Sequence, residues 1–191
     1  MVIDPGAFVE RLAAVQIGST FNFYREGDRA GLLRERLTDY LTERADAPLL
    51  IVGEAPGYRG TRLSGIPLTS ERQLSGAGSA EATATLVHAA LDELGLCDAV
   101  VLWNVVPTHP GSACTNRPPT RAEVEQGLPF ARALAHGRRV VPVGRVAQAA
   151  LGGAYLRHPS HGGARAFRTG LAACAREAIG AAPLTEGALA C

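Results

Sequence analysis

The sequence predicts a three-layer α/β fold, a four-stranded parallel sheet flanked by helices, and two observations carry that expectation. Short apolar runs rich in β-branched residues alternate along the chain with segments of helical periodicity. Each apolar run is also followed by turn-formers and polar side chains, as at the carboxyl edge of an open parallel sheet, where ligands bind. With 191 residues and 47% hydrophobic content the chain can bury a core, and a single domain over residues 1–191 is expected.

The elements follow in order. Helices are expected at Pro5–Gln16 and Arg29–Arg44, then a strand at Leu49–Val52 (LLIV). Gly57–Gly65 is rich in glycine after a strand, but no Gly-Lys-Ser/Thr follows, so it is not a phosphate-binding P-loop. Gly76-Ala77-Gly78 lacks the third glycine of a dinucleotide fingerprint and follows no strand. Both stretches read as loops. A helix at Ser79–Leu94 ends where Gly95 can adopt a left-handed cap. The second strand is Val100–Val105, and Thr120-Arg121-Ala122-Glu123 reads as a capping box opening a helix at Arg121–His136. Gly137 closes that helix, and a strand at Arg139–Val143 leads to a helix at Val146–Leu151. A short strand near Tyr155–Arg157 and a helix at Gly163–Ile179 complete the series, with a loose tail after about Ala178.

The formal net charge is +1, which argues neither for nor against a nucleic-acid partner. All nineteen basic residues are Arg, a pattern of GC-rich coding, so phosphate contacts must come from Arg, backbone N–H groups, His and hydroxyls. The cysteines, Cys97, Cys114, Cys174 and Cys191, form no C-x-x-C pair and no zinc-like cluster, and four reduced thiols are expected. No apolar run reaches spanning length, and Met1 is followed by Asp4-Pro5 rather than a basic and then apolar start. No membrane association is therefore expected, and the location expected is cytoplasmic.

The unusual residues fall at the strand ends. Glu54-Ala55-Pro56-Gly57 follows the first strand, Asn104 sits near the end of the second, Gly144-Arg145 follows the third and His158-Pro159-Ser160 the fourth. The topology brings these four segments to one crevice. Taken singly, each has a plain alternative: an Asn closing a turn, a His capping a strand end, or a Glu bonded to loop N–H groups.

GEAPGYRGTRLSGIPLTSERQL, from Gly53 to Leu74, resembles the first motif of the uracil-DNA glycosylase superfamily, nearest to its family-four type. The resemblance continues in the family's order through WNVVPTHPG, NRPPTRAEVEQGLPF, VVPVGRVAQAALG and RHPSHGGARAF, covering roughly Leu49 to Ala173. It implies a monomeric, monofunctional enzyme that flips uracil or a related deaminated base out of DNA and hydrolyses its glycosidic bond. In a bacterial cell such a protein would sit with the nucleoid. On this resemblance Glu54 and His158 are the catalytic residues, and Asn104, Ala55, Gly57 and Leu68 contact the base. Pro56, Ser160, His161, Arg165 and Arg168 would contact the DNA.

The departures from the pattern matter as much. Ala55 stands where the classical uracil enzymes carry an Asp, Gly57 where they carry a Tyr against thymine's methyl, and Leu68 where family four has a stacking Phe. Gly57 therefore leads to the expectation of a pocket open at that edge, and Leu68 to weaker stacking. The position of the apolar wedge after the H-P-S motif is Gly162. Family-four enzymes hold an iron–sulfur cluster. Here the early C-x-x-C is missing, the segment after the Asn strand reads Pro107-Thr108-His109, and the helix position is Gly127, so no cofactor and no metal are expected. The chain contains no Lys to form a Schiff base, which excludes the usual lyase chemistry. Two further readings stay open: a catalytically weak protein that binds damaged DNA, and a hydrolase or transferase of free nucleotides sharing only the fold.

Overall fold

A computed structural model of the chain describes residues 3–180. Its helices are α1 (Pro5–Ala14), α2 (Ala30–Glu43), α3 (Thr61–Ser64), α4 (Glu71–Ser75), α5 (Ala82–Leu94), α6 (Arg121–Ala135), α7 (Gly144–Leu151) and α8 (Ala164–Ile179). Three strands, β1 (Leu49–Gly53), β2 (Val100–Asn104) and β3 (Arg139–Pro142), form a parallel sheet in the order β2-β1-β3. This is an α/β fold with a parallel sheet flanked by helices, as the alternation of apolar runs and helical segments requires. The expected fourth strand is reduced to one parallel bridge, Leu156 to Val143. Leu156 donates to the Pro142 carbonyl at 3.0 Å and accepts from the Gly144 N–H at 2.9 Å. The segment cannot extend further, because Gly152 and Gly153 turn the chain at positive φ before it and Pro159 offers no N–H after it.

Sheet position follows from burial. Leu49, Leu50, Ile51 and Val52 are all inaccessible, which suits a central parallel strand covered on both faces. Trp103 on β2 is equally buried and packs edge-on against Phe8 of α1, ring centroids 5.4 Å apart. The Tyr40 hydroxyl of α2 accepts a hydrogen bond from the Leu102 N–H at 2.7 Å and so fixes α2 along β2.

The expected caps are present: Thr120 accepts from the Glu123 N–H and Glu123 reaches back to the Thr120 N–H, while Gly95 ends α5 at φ 61. Helix α3 falls in a stretch expected to be a loop, and α4 where no element was expected. At four and five residues they are too short to leave a periodic signature. Cys114 and Cys174 are free thiols, but Cys97 is disulfide-bonded, which corrects the expectation of four reduced cysteines. The tail expected to be loose lies mostly outside the described residues. No helix among the described residues is long and apolar enough to cross a membrane.

One buried carboxylate organises the long loop between β2 and α6. Glu123, 1% exposed, accepts from both Arg117 nitrogens at 2.6 and 2.8 Å, from the Thr120 N–H at 2.8 Å and from the Ser19 N–H at 3.3 Å. The Arg117 hydrogen bonds, helped by the backbone donors, hold its carboxyl at about 2, well below the ordinary 4.5. Because the folded value is depressed, the stabilisation is complete above the unfolded pKa and is lost as the pH falls through the folded one. Thermal unfolding should therefore show stability falling between about pH 4.5 and about 2, a loss that Glu123→Gln does not share. At neutral pH the Gln variant should be less stable by roughly 2 kcal/mol, the scale of a lost charge-assisted hydrogen bond. An unchanged acid profile in the variant would assign the loss to another group.

Candidate active site

The strand ends meet as the topology demands. Gly53, Glu54, Ala55, Pro56 and Gly57 leave β1, Gly144 and Arg145 follow β3, and His158, Ser160 and His161 follow the Leu156 bridge. All of them line one cleft of about 640 Å³, together with Thr61, Leu68, Glu81, Thr83, Asn116, Arg117 and Tyr155. Thus Glu54, Ala55, Pro56, Gly57, Leu68, His158, Ser160 and His161 are brought together.

Asn104 lies immediately behind the cleft floor. It pairs with Gly53 at the last rung of the β1–β2 register and is 1% exposed. A Cβ on Gly53 would fall 3.0 Å from both the Asn104 Oδ1 and a Leu68 methyl, so the absent side chain is what lets the three residues meet. Both Asn104 amide atoms, Oδ1 and Nδ2, are buried without a hydrogen-bond partner among the described residues. Leu68 holds φ at 52°, a left-handed conformation costly for a side chain of its kind. Its N–H is held by the Thr61 hydroxyl at 3.1 Å.

His158 is half-buried, and burial, with the neighbouring His161 adding to it, lowers its pKa below the ordinary 6.5. Its Nδ1 accepts the Ser160 N–H at 3.3 Å, so the neutral ring carries its proton on Nε2. Ser160 is in turn bonded to Thr83 of α5, Oγ to Oγ1 at 2.9 Å, which ties the H-P-S loop to the start of that helix. Glu54 is half-buried and desolvation raises its pKa above 4.5.

Arg165 and Arg168 do not reach this cleft. Both sit on α8 in a separate groove against α5, where Arg168 pairs with Glu93. Two Arg side chains line the cleft, Arg117, which pairs with Glu123, and Arg145, which is exposed; Tyr155, 47% exposed, lines it as well.

Two residues carry more of the site than the sequence suggested. His109, inaccessible to solvent, faces the Pro56 carbonyl through Nδ1 at 2.8 Å and the Ser112 carbonyl through Nε2 at 2.8 Å. It thereby joins the loop after β1 to the loop that supplies Asn116 and Arg117. The Tyr58 N–H completes the junction by donating to Asn116 Oδ1 at 2.9 Å. The second is Glu81. The space above Gly57, expected to be open, holds the Glu81 carboxylate: a Cβ on Gly57 would fall 2.0 Å from its Oε1, and one on Gly60 1.8 Å from its Oε2. The open-edge expectation is corrected accordingly. No local pattern marks either residue, because both act across the fold.

The positions where family four holds its iron–sulfur cluster do not fit one. His109 has both ring nitrogens engaged by carbonyls, and Gly127 is packed so closely that a Cβ would lie 2.4 Å from the Val105 carbonyl oxygen. Among the described residues no group of three or more His, Cys, Asp or Glu is placed to hold a metal ion.

A parallel α/β sheet with polar residues converging beyond its carboxyl edge defines a ligand-binding class of fold. The sequence narrows it further, matching the Uracil DNA glycosylase superfamily over residues 41–179. The chain belongs to that superfamily, and its function is of the uracil-DNA glycosylase type. The fold is similar to that in the crystal structure of wild-type SMUG2 from Pedobacter heparinus, with a TM-score of 0.68 at 14% identity. That likeness covers 95% of this chain and 100% of the other. No curated protein matches the sequence.

The His109 junction generates a direct expectation. His109→Leu takes the ring's donor away from the carbonyls it faces at Pro56 and Ser112 and should cost roughly 2 kcal/mol in denaturant unfolding. Amide exchange at Tyr58 should quicken at the same time. Normal stability with an unchanged Tyr58 exchange rate would mean that the junction is held by other contacts.

Proposed function

We propose that this protein is a monofunctional DNA glycosylase that extrudes uracil, or a related deaminated base, and hydrolyses its N-glycosidic bond. The observation that carries the reading is the Asn104 amide, buried at the end of β2 with neither polar atom paired. Leaving such a group unsatisfied costs about 1–3 kcal/mol, a cost a protein tolerates where a ligand completes the bonds. Oδ1 can accept from uracil N3–H while Nδ2 donates to O4, and cytosine presents the opposite pattern.

Bond cleavage sends the electron pair of the C1′–N1 bond into the base, so negative charge gathers on O2 and positive charge on the sugar. The Nε2–H of a neutral His158 is a fixed donor for that oxygen. The Glu54 carboxylate suits the opposite pole, orienting water or opposing the cationic sugar. Pro56, Ser160 and His161 lie on the cleft wall, where a DNA backbone would pass, and Arg145 offers the rim charge. Arg165 and Arg168 would contribute only where the DNA extends past α5 and α8. With Arg as the basic residue throughout, affinity should fall steeply with salt.

Single-turnover excision from a uracil oligonucleotide tests the roles. Asn104→Ala and His158→Ala should each slow cleavage by about 10²–10³, the usual cost of removing one preorganised donor, with circular dichroism unchanged. Near-normal turnover in either variant removes that residue from the mechanism. The same assay run against pH should show an acid limb with its midpoint above 4.5, the ordinary value from which burial raises Glu54. Glu54→Gln should be slow and should lack that limb. If the limb persists in the variant, another group titrates.

A further inference from the structure

Glu81 caps the wrong thing for its position. It is the N-cap residue of α5, yet its side chain makes no capping bond to the helix N–H groups. The carboxyl instead turns into the cleft and settles on the two glycines of the loop after β1, where side chains at Gly57 or Gly60 would otherwise project. The two glycines and the acid are complementary, since neither loop position can carry a Cβ while the carboxyl stays where it is. Burial raises its pKa above 4.5, as expected of a carboxyl held away from water rather than one swinging in solvent.

The edges of an extruded pyrimidine can be assigned in turn. N1 bears the sugar, O2 faces the His158 donor, and N3–O4 faces Asn104. The remaining edge, at C5, then faces the wall made by Gly57, Gly60 and Glu81. We infer that Glu81 is a specificity-determining residue, whose carboxyl closes the C5 side of the pocket and excludes a 5-methyl group. This rests on the proposed base-excision reading. The wall comes from α5 and not from the loop it covers, and the Thr83–Ser160 hydrogen bond at 2.9 Å sets it in register with the His158 loop. Two opposite sides of the base are therefore gauged by elements tied to each other.

The test compares uracil with thymine opposite guanine in otherwise identical duplexes. Excision is measured as kcat/KM, and binding is measured separately by anisotropy on the uncleavable 2′-fluoro forms of both nucleotides. Glu81→Ser shortens the wall while keeping a good N-cap residue, so folding is protected. It should raise the thymine-to-uracil ratio by about tenfold or more, the scale of one methyl's exclusion. Glu81→Gln keeps the shape and should keep the wild-type ratio. If Ser leaves the ratio unchanged in both assays, or if Gln opens the pocket as Ser does, the assignment is overturned. A wild type that shows no preference for uracil in either assay overturns it as well. If the wild type cuts neither base yet binds the uracil form selectively, and Glu81→Ser loses that selectivity, Glu81 stands as the wall and the excision reading falls.

Discussion

The site depends on one rung of the sheet. Gly53 and Asn104 pair at the carboxyl end of β1 and β2, and the missing side chain at Gly53 lets Asn104 and Leu68 close over the same point. Parallel pairing sets this rung through the whole strand, because a one-residue slip would carry Asn104 to the other face. The buried run from Leu49 to Val52 supplies the hydrophobic energy that fixes the register. A cheap, non-directional force thus places a directional group that has no partner within the described protein.

Around that rung the cleft favours neutral groups. Burial raises Glu54 and Glu81 and lowers His158, each toward its uncharged form. Shifts of this kind concentrated in one cleft are typical of catalytic sites. Charge is kept instead at the periphery, in Arg145 on the rim and in the Arg117–Glu123 pair that anchors the neighbouring loop. The separation suits a polyanion that must be attracted from outside and a neutral base that must be read inside.

Much of this was legible in the sequence, for reasons that differ by residue. The three strands and the six longer helices announce themselves through period and caps, and Glu54, Asn104 and His158 through their place after a strand. The fourth strand misled because Tyr155–Arg157 has a strand's composition but only one residue free to pair. Arg165 and Arg168 do not line the cleft, because nearness in sequence to the His158 loop is not nearness in space: α8 carries them to α5. Glu81 and His109 left no signal at all, since a carboxyl placed by a helix on a glycine 24 residues earlier follows no local rule.

Gly57 gives the clearest account of where such reading ends. A glycine in sequence is an absence, and an absence is easily taken for open space. In the folded chain the same absence is a seat, and the residue that fills it arrives from another element. The identity of a pocket wall is then a property of packing, decided by how α5 docks through Thr83 on the loop of Ser160. His109 teaches the same lesson from the opposite side. In place of ligands to a cluster, the segment after β2 offers an imidazole between two carbonyls and a glycine pressed on the backbone. Hydrogen bonds and close packing join these loops.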